Sequence, residues 1–462
     1  MRLLVAEHRD VDRAPEDGQD APAPLAGVVA TFPHGPLAIP PLPRPLDAEW
    51  RVPGSKSITN RALVLAALAR GRSVLSGVLQ SDDTRHMRRA LTALGVEIIE
   101  RNVTTFEVRG GPERLSPPPA ALFVGNSGTT VRFLAALAAL VPGRVRLEGD
   151  EHMQKRPIAD LVDGLRQLGI AVDCPSGCPP LTLTGGCLPG GEARMRGDRS
   201  SQYFSALLMA SAAAEGPVTL RIEGELVSRP YVEITLAMMR AFGGSVQGAD
   251  DGFVVEPTGG YRPCDYLIEP DASSASYAFA AAVATRGQVR VQGLGTKSLQ
   301  GDYRFCEVLR IAGAQVSQAP DETTVRAGGT YRGTDVDMHH ISDTVMTLAA
   351  LAPLASGPTT IRNVANIRIK ETDRLAATVA ELERLGQHVV HGDDWLTIHP
   401  RPVTPAVVRC YGDHRMAMSF AILGLAVAGV SIEDPACVAK TYPGFWNDLR
   451  QCYTEQGVPP PW

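Results

Sequence analysis

No apolar run in this chain reaches the roughly 18 uninterrupted residues of a membrane-spanning helix, so no such span is expected. Charge of one sign is also missing. Lys plus Arg (45) nearly balance Asp plus Glu (50) for a formal net charge of -5, which offers no global pull toward nucleic acid or anionic membrane. Any basic site must be local. The eight cysteines form no CxxC pair. Their closest group is "CPSGC" with Cys187 further on, and this pattern reads as thiols of a reducing compartment rather than a metal site or disulfide framework. The N-terminal stretch lacks the apolar core of a secretory signal and is too acidic for a transit peptide. Its Pro, Ala and Asp content through about Pro45 reads as a flexible or loosely packed extension.

What is present is a soluble globular composition, 44% hydrophobic and 21% charged, over 462 residues, enough for two or three domains. It also contains a repeat. Ala/Leu-rich segments ending in glycine recur six times, from "ALVLAALARG" at Gly71 through Gly143, Gly216, Gly287 and Gly357 to "AMSFAILGLAVAG" at Gly429. The steps are 72, 73, 71, 70 and 72 residues. A second helical pattern keeps the same beat and ends in glycine at 95, 169, 243, 313 and 386, with a worn copy, "CYTEQG", ending at Gly457. Glycine suits a helix C′ position, where positive φ costs it nothing.

Each unit of about 70 residues therefore reads as strand, apolar helix, strand, amphipathic helix, strand. A helix apolar on nearly every face should be buried all round, and the amphipathic one should cover the outside. Six such units are too long for a standard solenoid. They are expected to form an α/β fold of two globular halves, three units each, with buried helices bundled inside and sheets outside. The break falls near "TGGYRPCDYLIEP", Thr258 to Pro270.

The mouths of the six buried helices are polar: "GSKSITNR", "GNSGTT", "GDRSSQ", "EPDASSAS", "ISDT" and "YGDHR". Helix capping explains part of this. It does not explain Lys56, Arg61, Arg132 or Arg415, because cations at a helix N-terminus oppose the macrodipole. An arriving anion would account for them, and several mouths related by pseudo-symmetry would aim at one cleft. Scattered surface cations with ordinary caps remain the alternative. Two further clusters, "MQKRPIADL" with Lys155 and Arg156 and "IRIKETDRL" with Arg368, Lys370, Glu371 and Arg374, add to the positive count. By itself the Glu371/Arg374 spacing reads as an exposed ion pair on a helix face. Lys440 in "DPACVAKTYPGF" reads as a lone exposed lysine.

Taken in order, "PGSKSxxNRAL", "GNSGTTxR", "RPIxxLVxxLxxLG", "SSQxxSALLM", "DASSASY", "KETDR" and "DHRMAM" resemble the 5-enolpyruvylshikimate-3-phosphate synthase family from about Arg51 to the C-terminus. The resemblance implies two globular domains of three pseudo-symmetric repeats each, an inside-out α/β barrel. It places 1–46 as the extension, 47–55 plus 268–462 as a discontinuous domain and 56–267 as the domain inserted in it. It implies transfer of the enolpyruvyl group of phosphoenolpyruvate to the 5-hydroxyl of shikimate 3-phosphate through a tetrahedral intermediate, with release of phosphate. No metal and no organic cofactor are implied. The partners are these two small molecules, without nucleic acid or membrane, for a cytoplasmic monomer.

The same resemblance carries roles to individual residues. Lys56 would touch both substrates and donate a proton. Ser57, Arg61, Ser200, Ser201, Ser228, Tyr231, Asn366 and Lys370 would bind shikimate 3-phosphate, with Arg61 on its carboxylate. Gln202 would lie near both substrates. Gly128, Arg156, Arg374, Arg415 and Lys440 match the phosphoenolpyruvate pocket, and Asp413 and His414 would line its phosphate side. Asp343 is the expected base for the 5-hydroxyl, and Glu371 a proton shuttle at C3. Ser127 and Phe133 depart from the common Ala and Pro of the family, and Gly128 leaves room for a phosphonate such as glyphosate to compete. Rival readings are the sister enzyme acting on a UDP-amino sugar, which typically has Lys-Asn where this chain has Lys56-Ser57, a paralogue using another cyclitol acid, and a non-catalytic repeat-type binding protein.

Overall fold

The computed structural model describes residues 35–249, 251–460 and 462. Two separate hydrophobic cores organise them. One runs from Ile58 to Ile268; the other combines Leu37–Trp50 with Ala272–Tyr453. At the centre of the first lie the helices Lys56–Ala67, Gly128–Ala138 and Ser201–Ser211, and at the centre of the second Ala272–Ala284, Val345–Leu351 and His414–Gly424. Ala, Leu and small hydroxyl residues on every face let these helices pack closely within each trio. The helix Val345–Leu351 is cut short because Pro353 cannot donate its amide, and the chain tightens there into the 3-10 turn Ala352–Leu354.

Among the described residues six sheets surround the helices, five of four strands and one of three. The second repeat shows the plan. Leu122–Phe123 runs parallel to Gly143–Glu148, which pairs antiparallel with Leu181–Gly185, and Ala171–Asp173 closes the edge. The unit thus ends in a hairpin, one strand more than its sequence pattern suggests. Its register puts Val145 opposite Leu183 and Leu147 opposite Leu181, all four buried toward the helices. The outer helices end as expected: Gly95, Gly169, Gly243, Gly313, Gly386 and Gly457 all have positive φ.

The chain changes halves twice, side by side. Asp47–Glu49 precedes the first buried helix yet pairs with Gln288–Gln292 of the second half, while Tyr266–Leu267 pairs with Gly71–Ser76 of the first. Between them the crossings touch through Ser55 N–H to Glu269 O (2.9 Å) and Asp271 N–H to Pro53 O (2.8 Å). Gly54 is required here, because a Cβ would lie 1.8 Å from the Gly77 carbonyl oxygen.

One expectation needs correcting. The extension read as loose through Pro45 lies outside the described residues up to 34, but from Leu37 it is built into the second core. Leu37–Ile39 pairs antiparallel with Val430–Ile432, and Leu37, Ile39 and Leu46 are buried. It supplies the antiparallel edge of the sixth sheet, whose own unit provides Ala406–Val408 and Val430–Ile432. Proline-rich composition masked a three-residue alternation, Leu37-Ala38-Ile39, whose apolar members face inward. No helix among the described residues is long and apolar enough to cross a membrane.

Candidate active site

Capping accounts for only half of the polar helix mouths. Ser200, Asp271 and Asp413 accept side-chain hydrogen bonds from their helices; Ser55, Ser127 and Thr344 do not. Five of the six mouths, all but that at Asp271, instead contribute to one cavity, lined by residues from Lys56 to Arg415. Seven cations face it, Lys56, Arg132, Arg156, Arg199, Lys370, Arg374 and Arg415, against three carboxylates, Asp83, Asp343 and Glu371. Ser57, Gly128, Ser200, Ser201, Gln202, Ser228, Tyr231, Asn366 and His414 complete the expected set that lines it.

Asp343 is the hub of the second half. Its Oδ2 accepts from Arg415 Nη2 at 2.7 Å, and its Oδ1 from Arg374 Nη1 at 3.1 Å, with Lys370 Nζ 4.0 Å away. Burial alone would raise its pKa, but Arg415, Lys370 and Arg374 outweigh burial and hold the carboxyl well below its usual range. Glu371 is similar. Burial is overcome by Arg374 at 2.6 Å and by Arg156 and Lys440, each 3.9 Å away, so it too stays ionised. The Glu371–Arg374 pair is therefore buried rather than the exposed pair that spacing alone suggests. His414 is driven well below its ordinary value, first by burial and then by Arg415, leaving a neutral ring with both nitrogens unpartnered at the cavity wall.

Gly128 stands at the first turn of its helix, where an added Cβ would lie 2.6 Å from Arg156 Nη2. Its bareness lets the guanidinium lie across the helix N-terminus, and Arg156 Nη1 also donates to the Asn126 carbonyl (3.2 Å). The halves touch across the cavity. Asn366 Nδ2 meets Ser228 Oγ at 3.4 Å, the Tyr231 hydroxyl reaches Asp343 Oδ2 at 3.3 Å, and Lys440 Nζ donates to the Asn126 carbonyl at 2.6 Å. Lys440 is consequently not an exposed lysine: it bridges to Asp83 (3.6 Å), which also takes Lys56 (3.3 Å).

Lys440 bridges the halves but is not part of the cavity lining, and two further expected cavity residues are placed elsewhere. The Arg61 side chain runs back into the first core, donating to Thr235 Oγ1, the Ser57 and Tyr231 carbonyls and Ser205 Oγ, and stacking 5.2 Å from the Phe133 ring. It does not line the cavity, and burial lowers its pKa to about 10. Buried hydroxyls on neighbouring helices out-compete the cavity for its donors, and Phe133, a departure from the common family residue, is its platform. Asp413 is fully buried behind the wall, capping its helix and accepting from Arg374 Nε at 2.7 Å. It aims Arg374 rather than meeting a ligand. Conversely Asp83, Arg132 and Arg199 line the cavity without having been assigned to it. Asp83 reads in sequence as an ordinary first-turn acid of the helix Asp82–Ala93, and only the two lysines meeting it in space mark it out. Arg132 carried a signal, a cation opposing a helix dipole; it donates to Gln202 Oε1 at 2.7 Å.

Chemically the cavity is an anion receptor with two ionised carboxylates at its floor, and among the described residues no cluster of His, Cys, Asp and Glu converges as a metal site. Residues 42–449 match the profile of a family described as EPSP synthase (3-phosphoshikimate 1-carboxyvinyltransferase). A Nostoc protein named 3-phosphoshikimate 1-carboxyvinyltransferase is 45% identical over 415 residues, covering 89% of this chain and 98% of its own. A Yersinia pestis protein of the same name is 47% identical over 408 residues, 87% and 95% of the two chains. Among solved structures, EPSP synthase from Acinetobacter baumannii superposes with a TM-score of 0.77 at 24% identity, over 92% of this chain and 99% of that one. The enolpyruvyl transferase NikO from Streptomyces tendae gives 0.72 at 21%, over 91% and 98%. At those identities the two structures speak for the fold alone.

Proposed function

The chain belongs to the EPSP synthase family, and on that premise we propose that it transfers the enolpyruvyl group of phosphoenolpyruvate to the 5-hydroxyl of shikimate 3-phosphate, releasing phosphate. One observation of the chain itself carries the reading: seven cations converge on one cavity against three carboxylates. That surplus of four suits two substrates that each bring a carboxylate and a phosphate, about four to six negative charges near neutrality. Ser200, Ser201, Ser228, Asn366 and Lys370 would hold the shikimate phosphate and ring. Arg156, Arg374, Arg415, His414 and Lys440 would hold phosphoenolpyruvate. Gln202, tied to Arg132, lies where both could touch it.

The charge pattern also suits the chemistry. Asp343 is ionised by its cations and can take the 5-hydroxyl proton as the oxygen attacks C2. C3 must gain a proton in that step and lose one in the next. Lys56, on Asp83, is positioned to donate, and Glu371 to accept. Glu371 owes its ionisation partly to Arg156 and Lys440. Phosphoenolpyruvate binding to those two cations would loosen their hold and move Glu371 upward, the direction a shuttle needs. Fixed guanidinium groups around the tetrahedral intermediate supply the electrostatic part of catalysis. All eight cysteines are free thiols, which fits action in a reducing cytoplasm, and the reading needs no second chain to complete the cavity. Purified protein mixed with both substrates should release phosphate stoichiometrically with consumption of phosphoenolpyruvate. Turnover only with a different acceptor would reject this substrate assignment.

A further inference from the structure

Tyr231 has one hydroxyl proton and faces two carboxylates. Its oxygen lies 3.0 Å from Asp302 Oδ2 and 3.3 Å from Asp343 Oδ2, and it can donate to only one of them at a time. It reaches them from the first half, whereas both aspartates belong to the second. Asp302 sits in the turn Gly301–Arg304, 2% exposed and behind the cavity wall. Ser273 Oγ donates to the same Oδ2, and Asp302 Oδ1 has no partner at all. A buried carboxylate with one oxygen lacking any donor holds its charge poorly, which favours the neutral acid.

We propose that Asp302 is a positioning residue for Asp343, setting through the Tyr231 hydroxyl how many hydrogen bonds Asp343 carries. The proposal rests on reading Asp343 as the base toward the acceptor hydroxyl. Ionised Asp302 accepts the phenol's hydrogen bond, being the nearer acceptor, and leaves Asp343 Oδ2 with Arg415 and an open lone pair. Protonated on Oδ2, Asp302 donates instead to the phenol oxygen while still accepting from Ser273, and the phenol turns its own proton onto Asp343 and fills that lone pair. One proton added at Asp302 thus reverses one hydrogen bond, forms another and weakens the base; no bond to carbon changes.

The surroundings place this switch within reach of ordinary pH. Burial first and the Asp343 charge second push Asp302 up to about 6, against Arg415, Ser273 and Tyr231. Asp271, at the cap of the helix carrying Ser273, acts on the phenol, which burial keeps protonated well above neutrality. On the turn that bears Asp343, His340 is lowered by burial, His339 and the Asp302 neighbour Arg304. As pH falls through about 6, Asp302 gains its proton and turnover should fall with it.

The test is carboxyl 13C NMR of the full chain labelled at aspartate, from pH 4.5 to 8, together with kcat over the same range. One signal should titrate near 6 and vanish in Asp302→Asn; a second near 6 from Asp448 should remain. Wild-type kcat should fall through that midpoint to a lower plateau, and the ratio of kcat at pH 7.5 to pH 5.5 should collapse toward about 1 in Asp302→Asn, whose neutral side chain holds the plateau value throughout. A merely structural Asp302 would change stability and leave that ratio alone, which overturns the proposal, as does the absence of an Asp302 signal between pH 5 and 7. If Asp302→Asn does not fold, Ser273→Ala must raise the midpoint by removing a donor to the ionised form, and an unmoved midpoint rejects the idea. If the wild type turns over neither substrate, the enzymatic reading fails on its own. The relay is then judged by Tyr231→Phe, which must raise the Asp302 midpoint.

Discussion

Gly128 shows how little separates a working anion site from a blocked one. Its missing Cβ leaves the Arg156 guanidinium against the helix mouth, 2.6 Å from where a methyl would sit. Gly128→Ala should displace that guanidinium, the flexible end of its side chain, rather than unfold the helix. Steady-state kinetics should show KM for phosphoenolpyruvate raised about tenfold or more, KM for shikimate 3-phosphate little changed and thermal stability preserved. A second residue tests the electrostatics away from the cavity. Asp448 accepts from the Tyr442 hydroxyl at 2.5 Å, and burial raises its carboxyl to about 6. A carboxyl whose folded pKa exceeds its unfolded value of 3.8 opposes folding progressively as pH rises through that window. Asp448→Asn, which still accepts from Tyr442, should therefore be neutral near pH 4 and stabilising by about 1–3 kcal/mol above pH 6.5, read from Tm against pH. At this scale the sequence showed why cations gather but not where each one points. Lys56 and Arg415 reach the cavity as their motifs imply. Arg61 carries an equally good motif and turns inward, because Thr235 and Ser205 arrive from helices about 140 to 175 residues away in the chain. Asp302, in a plain turn, has no sequence signal at all.

Among the elements, the outer helix Arg374–Arg384 does more than cover the core. Its first residue aims at Asp343, Glu371 and Asp413, and its fully buried Glu381 accepts from Arg409 N–H at 2.9 Å and the Tyr411 hydroxyl at 2.6 Å. Tyr411 has a left-handed φ of 55, so the loop that delivers His414 and Arg415 is held in a conformation a tyrosine disfavours. Glu381→Ala should remove both bonds from donors that water can reach, destabilise the protein by about 1 kcal/mol and lower kcat by misplacing Arg415; denaturant unfolding and kinetics check the two parts separately. The apolar and amphipathic helices were legible because periodicity and terminal glycine agree at every copy. The hairpin ending each of the first five units was not, since its first strand is a mostly exposed edge and its last, which runs inside the sheet, is only four to six residues long. The strand Leu37–Ile39 was hidden because three residues are too few to stand out from a proline-rich setting.

For the whole molecule, the division of labour lies between halves. Ser200, Ser201, Ser228 and Arg156 come from the first, and Asp343, Glu371, Arg374 and Arg415 from the second, so neither half holds a complete site. The described conformation joins them through Tyr231, Asn366 and Lys440, which hydrogen-bond from one half to the other. Substrates entering the cavity should require those contacts to part and then re-form. Small-angle scattering should accordingly show compaction when shikimate 3-phosphate is added, and an unchanged radius of gyration would mean a rigid, preformed site.

The paired crossings carry a consequence for how the chain could be cut and rejoined. The strand Tyr266–Leu267 completes a sheet of the half that begins at Lys56, so residues 56–267 keep all their own sheet partners while their two ends leave side by side. The remaining residues close the other half around that gap with Asp47–Glu49. We propose on this pairing that one half is a guest threaded into a loop of its host, whose chain is interrupted at a single doorway. Expressed alone, the guest spanning 56–267 should fold cooperatively, with dispersed NMR signals and a single unfolding transition. The host, with 55 joined to 268 by a short Gly/Ser bridge, should do the same. Mixed, the two should bind shikimate 3-phosphate less tightly than the intact chain by whatever the covalent doorway contributes in effective concentration.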